Sequence, residues 1–219
     1  MAVTVHHVTR QPLDGIERWR AVPPAVVADV SKSACLINPA IRPLNPPGRQ
    51  PKLFGRAVTV SCQPPDFGAV LYAMDVAGTG DVLVIAAAGN GDTAMIGEIL
   101  GGQLLRRGVA GVICDGAIRD VGELAAMTRL SVFTRHITPC GPSSSETGAV
   151  NGPVQFGGRA ISPGDLIIGD DDGLVSLTSA DMAAYIEAAT KKLLLETDWQ
   201  KSLADGKSVS ETFSLPRPA

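Results

Sequence analysis

The stretch "GDVLVIAAAGNGDTAMIGEILGGQLLRRGVAGVICDGAIRDVGELAAMTR", residues 80–129, decides the fold. Its first part, "GDVLVIAAAG" (80–89), is a short apolar run opened by a Gly-Asp turn, which reads as a buried strand. "DTAMIGEILGGQLLRRG" (92–108) reads as a helix with Asp92 at or near its cap, since aspartate before an apolar-periodic run satisfies the first free amides. "VAGVICDGA" (109–117) is a second buried strand and "RDVGELAAMTR" (119–129) a second capped helix. Strand, helix, strand, helix at this spacing predicts an α/β fold with a mostly parallel or mixed sheet whose strand ends carry the working groups.

Outward from this core, "PPAVVADVSKSA" (23–34) starts a helix at its prolines. It runs into "INPAIRPLNPPGRQPK" (37–52), where missing amide hydrogens prevent regular structure. This Pro-rich connector reads as a surface loop or as a lid. "LFGRAVTVSC" (53–62) alternates with period two and is a strand, and "FGAVLYAMDVA" (67–77) is a helix. Later come strand-like segments at 130–136, 152–158 and 165–178, the last turning at "GDDDG" (169–173), where Asp and Gly suffice to explain a turn. A terminal helix from about Asp181 to Glu196 begins a C-terminal helical arm, whose polar tail is partly helical and suited to packing on a neighbouring subunit. The whole of 1–219 is expected to be one domain.

Composition narrows the class. Aromatic residues make up 4% of the chain against 24 glycines and 16 prolines, so the core must be built from Val, Ile, Leu and Ala between tight turns. A formal charge of −3 with interspersed signs offers no basic face, which disfavours nucleic acid as a partner. No apolar segment has the length of a signal peptide core or a membrane span, so a soluble cytoplasmic protein without a membrane partner is the default. The cysteines at 35, 62, 114 and 140 have no ligand spacing; Cys35 and Cys114 lie in apolar runs and read as buried free thiols.

Several groups are suited to chemistry. The loop "AAAGNGDTAMIGE" (86–98) is either a plain turn with an N-cap or an anion cradle. It is neither a Walker loop nor a dinucleotide fingerprint. On the helix reading, Glu98 falls near the end of the second turn, facing solvent or the sheet edge. Arg119 and Asp120 follow a buried strand directly. A guanidinium forks onto a carboxylate, and an aspartate gives a hard oxygen to Mg²⁺ or Mn²⁺. The plainer reading has Asp120 capping its helix, Arg119 in a local salt bridge and Glu123 completing a capping box. His6 and His7 belong to the terminus, His136 ends a strand, and the hydroxyl-rich "GPSSSETG" (141–148) reads as a flexible loop whose serines lack a base.

The ordered blocks "GNGDTAMIGE" (89–98), "GVICDGAIRDVGE" (111–123), "VFTRHITP" (132–139), "VNGPVQFGG" (150–158) and "ISPGDLIIGDDDGLVSL" (161–177) together resemble one family. It contains the class II pyruvate aldolases acting on 4-hydroxy-4-methyl-2-oxoglutarate and 4-carboxy-4-hydroxy-2-oxoadipate, and also the RraA-type regulators of ribonuclease E. The likeness spans roughly residues 25–190. Family aldolases carry an acidic residue, twenty intervening positions, Arg-Asp, and after two residues an acid; Glu98, Arg119, Asp120 and Glu123 match that pattern. Glu98 stands where Asp is usual, and the regulator branch lacks this acid. His136 stands where Gly is common, and the 141–148 loop lacks a frequent Lys or Arg.

The resemblance implies a layered α/β/α RraA-like fold around a central β region, assembled as a homotrimer or homohexamer. It implies Mg²⁺ or Mn²⁺ held directly by Asp120, and through water by Glu98 and Glu123, with Glu98, Arg119 and Asp120 catalytic. Arg119 and amides around Asn90, Gly91, Asp92, Thr93, Ala94 and Met95 would bind a small 2-oxo acid, and Glu187 or Glu196 of a neighbouring helix would approach the site. The implied activity is retro-aldol cleavage of a 4-hydroxy-2-oxo diacid to pyruvate and a second oxo acid, with oxaloacetate decarboxylation. The alternatives are a regulator that binds a ribonuclease or helicase, and a related enzyme for another 2-oxo or hydroxy acid.

Overall fold

The computed structural model describes residues 2–8 and 15–216. In chain order its strands are β1 (Thr4–Val5), β2 (Arg42–Pro43), β3 (Leu53–Ser61), β4 (Asp81–Ala94), β5 (Gly111–Ile118), β6 (Ser131–Ile137), β7 (Ala149–Val150), β8 (Val154–Phe156), β9 (Arg159–Ile161), β10 (Leu166–Asp170) and β11 (Gly173–Leu177). The helices are α1 (Pro24–Ser31), α2 (Gly68–Val76), α3 (Glu98–Arg106), α4 (Val121–Ala125), α5 (Ser179–Ala204) and α6 (Val209–Thr212).

Strands β3, β4, β5 and β6 lie side by side and parallel, joined by α2, α3 and α4. Antiparallel partners complete a mixed sheet: β10 and β7 on β3, and β2 on β6. Period-two alternation gives the sheet two apolar faces. Leu83 and Ile85 point to the side covered by Val70 of α2, Leu104 of α3 and Leu124 of α4. Val82 and Val84 point the other way, onto Ile37, Ile41, Phe156 and Ile161. Each such fully buried aliphatic side chain contributes about 1.5–3 kcal/mol. A third cluster packs α1 and the first half of α5 on the β10–β11 hairpin through Val26, Val27, Ile168, Val175, Met182 and Ile186. The expected α/β architecture, a central sheet flanked by helices, is therefore the observed one.

The Pro-rich connector is a packed loop. Its own Ile37 and Ile41 are buried, Gln50 Nε2 donates to Ser131 Oγ at 2.8 Å, and, against the expectation of no regular structure, Arg42–Pro43 pairs with β6 as β2, so the connector covers the second sheet face. "GDDDG" is the hairpin turn expected, with Asp170 opposite Gly173. The terminal helix is longer than expected: a reciprocal capping box of Thr178 and Asp181 fixes its start at Ser179, and it continues past Glu196 to Ala204. The tail beyond residue 216 lies outside the described residues. Among the described residues no helix is long and apolar enough to cross a membrane.

Cys35, Cys62 and Cys114 are buried and Cys140 is exposed. Burial pushes the Cys62 thiol up to about 12 and the Cys114 thiol well above its ordinary value. A thiolate-selective reagent at pH 8 is expected to label Cys140 rapidly and the other three only after denaturation. Rapid labelling of a second thiol in the native protein would contradict this packing.

Candidate functional site

At the C-terminal ends of β4 and β5 lies a cleft of about 230 Å³, whose lining includes Phe67, Met95, Gly97, Leu100, Arg119 and Asp120. Strand β5 ends at Ile118, and Arg119 N donates to Ile96 O at 3.0 Å, which ties the Arg-Asp peptide to the chain leaving β4. Asp120 then takes left-handed dihedrals, φ 53° and ψ 45°. That turn aims its carboxylate away from its own helix. Asp120 Oδ2 accepts from Glu98 N at 3.1 Å, and Arg119 Nε lies 3.7 Å from the same oxygen. Asp120 therefore caps α3, a helix 22 positions earlier in the chain, and makes no side-chain cap on α4. A capping box with Glu123 does not form, and the Glu123 side chain is exposed.

Gly97 allows this approach. A Cβ built on it would overlap the Asp120 carboxylate and lie 2.9 Å from Arg119 Cγ, so any side chain there displaces both groups.

The helix expected from Asp92 starts six residues later. Asn90 Oδ1 accepts from Asp92 N at 3.1 Å and Thr93 N at 3.0 Å, a local turn that competes with helix initiation. Ala94 N then donates to Cys140 O and Met95 N to Ala117 O, so β4 resumes pairing after a bulge. Gly89, at φ 75°, supplies the left-handed step that opens the bulge. Two corrections follow. Glu98 is the first residue of α3, not near the end of a second turn; it is exposed and is not among the residues lining the cleft, although its neighbours Gly97 and Ile99 are. The amides of Asp92, Thr93, Ala94 and Met95 already have acceptors. The helix-start amides without an acceptor among the described residues are those of Gly97, Ile99 and Leu100, because the first intrahelical bond is Gly101 N to Gly97 O. These three were not anticipated; the glycine before Glu98 was the signal that could have shown them. Of the 90–95 segment, Ala94 and Met95 line the cleft.

The 141–148 loop is not loose. Asp66, buried at the start of α2, accepts from the Ser144 hydroxyl, from Gly68 N at 2.9 Å, Glu146 N at 2.8 Å and Thr147 N at 3.0 Å. Burial alone would raise this carboxyl, but the hydroxyl and three amides outweigh it and hold it far below its ordinary 3.8. A depressed carboxyl stabilises the fold fully at neutral pH, and that contribution is lost as the pH falls below about 4. Asp66→Asn is expected to cost about 2–3 kcal/mol at pH 7. In urea melts the gap from the parent protein should narrow steadily below pH 4; a gap independent of pH would refute this assignment.

The other singled-out groups lie elsewhere. His136 sits beside Gly91 at the bulge. His6 N donates to Val150 O, so the histidine terminus is tied to the sheet, where His6 and His7 line a second cavity of about 400 Å³ with Arg56, Asp81 and Asp165. This larger cavity is at the N-terminal end of β4, away from the Arg119 cleft; in parallel α/β sheets ligands are held at the C-terminal strand ends, which favours the smaller one. Glu187 pairs with Arg18 at 2.8 Å and Glu196 lies 3.7 Å from Lys192 on the same helix. Asp115, not singled out beforehand, is buried against Arg135 at 2.6 Å and accepts from Gly157 N at 3.0 Å.

A mixed sheet flanked by helices, with Asp120 of an Arg-Asp pair capping the neighbouring helix at a parallel strand end, defines an α/β protein with a strand-end cleft. The chain belongs to the RraA-like family: the model for that family, described as Aldolase/RraA, matches residues 25–176. It is 31% identical over 198 residues to a protein of Halalkalibacterium halodurans named "Putative 4-hydroxy-4-methyl-2-oxoglutarate aldolase", covering 90% of this chain and 92% of that one. Among solved structures it is similar to RraAS2 of Streptomyces coelicolor, described as an unusual member of the RNase ES inhibitor RraA protein family. The TM-score is 0.74 at 26% identity, over 85% of this chain and 97% of that one. A protein from Pseudomonas syringae pv. tomato shares the fold at TM-score 0.80 and 22% identity, covering 94% and 99% of the two chains.

Proposed function

We propose that this protein is a divalent-metal-dependent pyruvate aldolase. It would cleave a 4-hydroxy-2-oxo diacid, 4-hydroxy-4-methyl-2-oxoglutarate or 4-carboxy-4-hydroxy-2-oxoadipate, to pyruvate and a second oxo acid, and would decarboxylate oxaloacetate. The observation that carries this reading is the convergence of Arg119, Asp120 and the start of α3 on one small cleft. A cation, a carboxylate and unspent helix amides stand together there, as an anionic substrate that develops further negative charge requires.

The pyruvyl carboxylate is bound by the amides of Gly97, Ile99 and Leu100, where the helix dipole favours an anion. Arg119 holds the 2-oxo end and stabilises the enolate oxygen as charge develops. The C4 hydroxyl gives its proton to a water molecule, C4 becomes the carbonyl of the second oxo acid as the C3–C4 bonding pair passes into the pyruvate enolate, and a proton from water returned to C3 completes pyruvate. Oxaloacetate loses CO₂ through the same enolate.

Among the described residues no three His, Cys, Asp or Glu side chains are grouped as a metal cage. Hard oxygens are nevertheless available. The Asp120 side chain is 41% exposed at the cleft, and such a carboxylate suits Mg²⁺ or Mn²⁺, ions held by one or two carboxylates with most of their waters retained. Asp120 would hold the ion directly, and Glu98 and Glu123 through water. When bound, the ion supplies Lewis-acid stabilisation of the enolate. We further propose a homotrimer or homohexamer; Leu71 and Ile99, on the cleft rim, are 37% and 79% exposed, as expected of a subunit contact beside the site.

Pyruvate release from both aldol substrates and from oxaloacetate, measured with Mg²⁺, Mn²⁺ and excess chelator, tests the reading. Turnover that chelator abolishes is the expected result. No turnover from any of the three substrates, together with a stable complex with a ribonuclease or helicase, would replace the enzyme by a regulator.

A further inference from the structure

The segment 140–147 is a strap along the cleft. Ala94 N donates to Cys140 O at 2.8 Å at one end, and Ala69 N to Thr147 O at 3.2 Å at the other. Between these points Pro142 lines the cleft, and Gly141 lies so close to Arg119 that a Cβ there would fall 2.5 Å from Nη1. The Arg119 side chain is 42% exposed, so its position depends on the few groups it touches, Asp120 at 3.7 Å and the Gly141 backbone among them. The strap is fastened by Asp66, whose two oxygens receive the Ser144 hydroxyl and the amides of Glu146 and Thr147 while also receiving Gly68 N of α2. Asp66 itself is not in the cleft wall; its neighbour Phe67 is.

We infer that Asp66 is a positioning residue for substrate: by pinning the strap to the start of α2 it sets where Gly141 and Pro142 stand, and so where the Arg119 guanidinium rests. The inference rests on the proposed role of Arg119 in holding a 2-oxo acid. Besides the two end bonds, Phe67 N to Ser144 O at 3.0 Å and Ser143 N to Pro65 O at 3.1 Å also hold the strap without the carboxylate. Loss of the charge therefore loosens the strap without releasing it.

Asp66→Asn and the milder Ser144→Ala test this, with two readouts. In steady-state kinetics on oxaloacetate with Mg²⁺, Asp66→Asn should raise KM about tenfold and Ser144→Ala about threefold, with kcat changed less than KM, the signature of weakened substrate binding by a displaced Arg119. In amide hydrogen exchange without ligand, segments 140–147 and 117–121 should both exchange faster in each variant, since Gly141 of the strap packs on the Arg119 side chain. Faster exchange in 140–147 alone, with KM unchanged, would overturn the inference and leave Asp66 a loop anchor. If Asp66→Asn fails to fold, Ser144→Ala decides on the same two readouts. If the parent protein turns over no 2-oxo acid, the proposed function fails, and the exchange of 117–121 still decides whether Asp66 governs the placement of Arg119.

Discussion

Asp120→Asn is expected to lower metal-dependent pyruvate release by roughly 1000-fold while leaving the fold intact. Asparagine is the informative replacement for two reasons. Residue 120 sits at φ 53° and ψ 45°, a left-handed conformation that asparagine tolerates and most side chains do not. Its amide oxygen can also accept the 3.1 Å bond from Glu98 N, so the cap on α3 survives. The negative charge is lost, and with it the hard anionic ligand on which the proposed site depends. Alanine would confuse the result, because it adds about 1–2 kcal/mol of left-handed strain and leaves the Glu98 amide without its acceptor. Initial rates together with melting curves check the prediction. Turnover at the parent level in folded Asp120→Asn would remove the proposed role of this residue.

Arg135→Ala is expected to be among the most destabilising single changes away from the cleft. Arg135 Nε donates to Asp115 Oδ1 at 2.6 Å, and the two side chains are only 20% and 10% exposed. Without the guanidinium, Asp115 becomes a buried carboxylate supported chiefly by the Gly157 amide at 3.0 Å. Breaking one side of such a pair costs about 3–5 kcal/mol, which for a chain of this size lowers Tm by roughly 10 °C. Thermal unfolding near pH 7 measures it. A shift below about 2 °C would mean that water reaches Asp115 and screens it, as at an exposed pair.

The two effects separate by chemistry. Asp120 lies at the mouth of a cleft, where its charge is available to a ligand. Asp115, five residues earlier in the same stretch, is spent on a guanidinium and a backbone amide. Both lie in "CDGAIRD", Asp115 within β5 and Asp120 two residues past its end, and their local sequence does not tell which one is paired. The difference comes from β6, which brings Arg135 to one, and from the break after β4, which brings an unspent helix start to the other.

The regular part of this molecule was legible in the residues. The apolar runs of β4 and β5 are strands because Val, Leu and Ile at alternating positions bury on both sheet faces, and the pattern alone implied parallel pairing through helices. The boundary at Asp92 was not legible. Asp-Thr-Ala-Met reads locally as a capped helix start, but Asn90 captures the first two amides, and Cys140 and Ala117 capture the next two. Those last acceptors are more than twenty positions away, so no local pattern reports them. The register of Glu98, and the three free amides around it, followed from that long-range pairing.

The residues by themselves determined the strands and helices of the central core and a mostly parallel or mixed sheet, because these depend on periodicity within each segment. Tertiary structure decided which carboxylate is paired, which is a cap and which helix amides remain unspent, since each depends on a donor or acceptor supplied by a distant part of the chain.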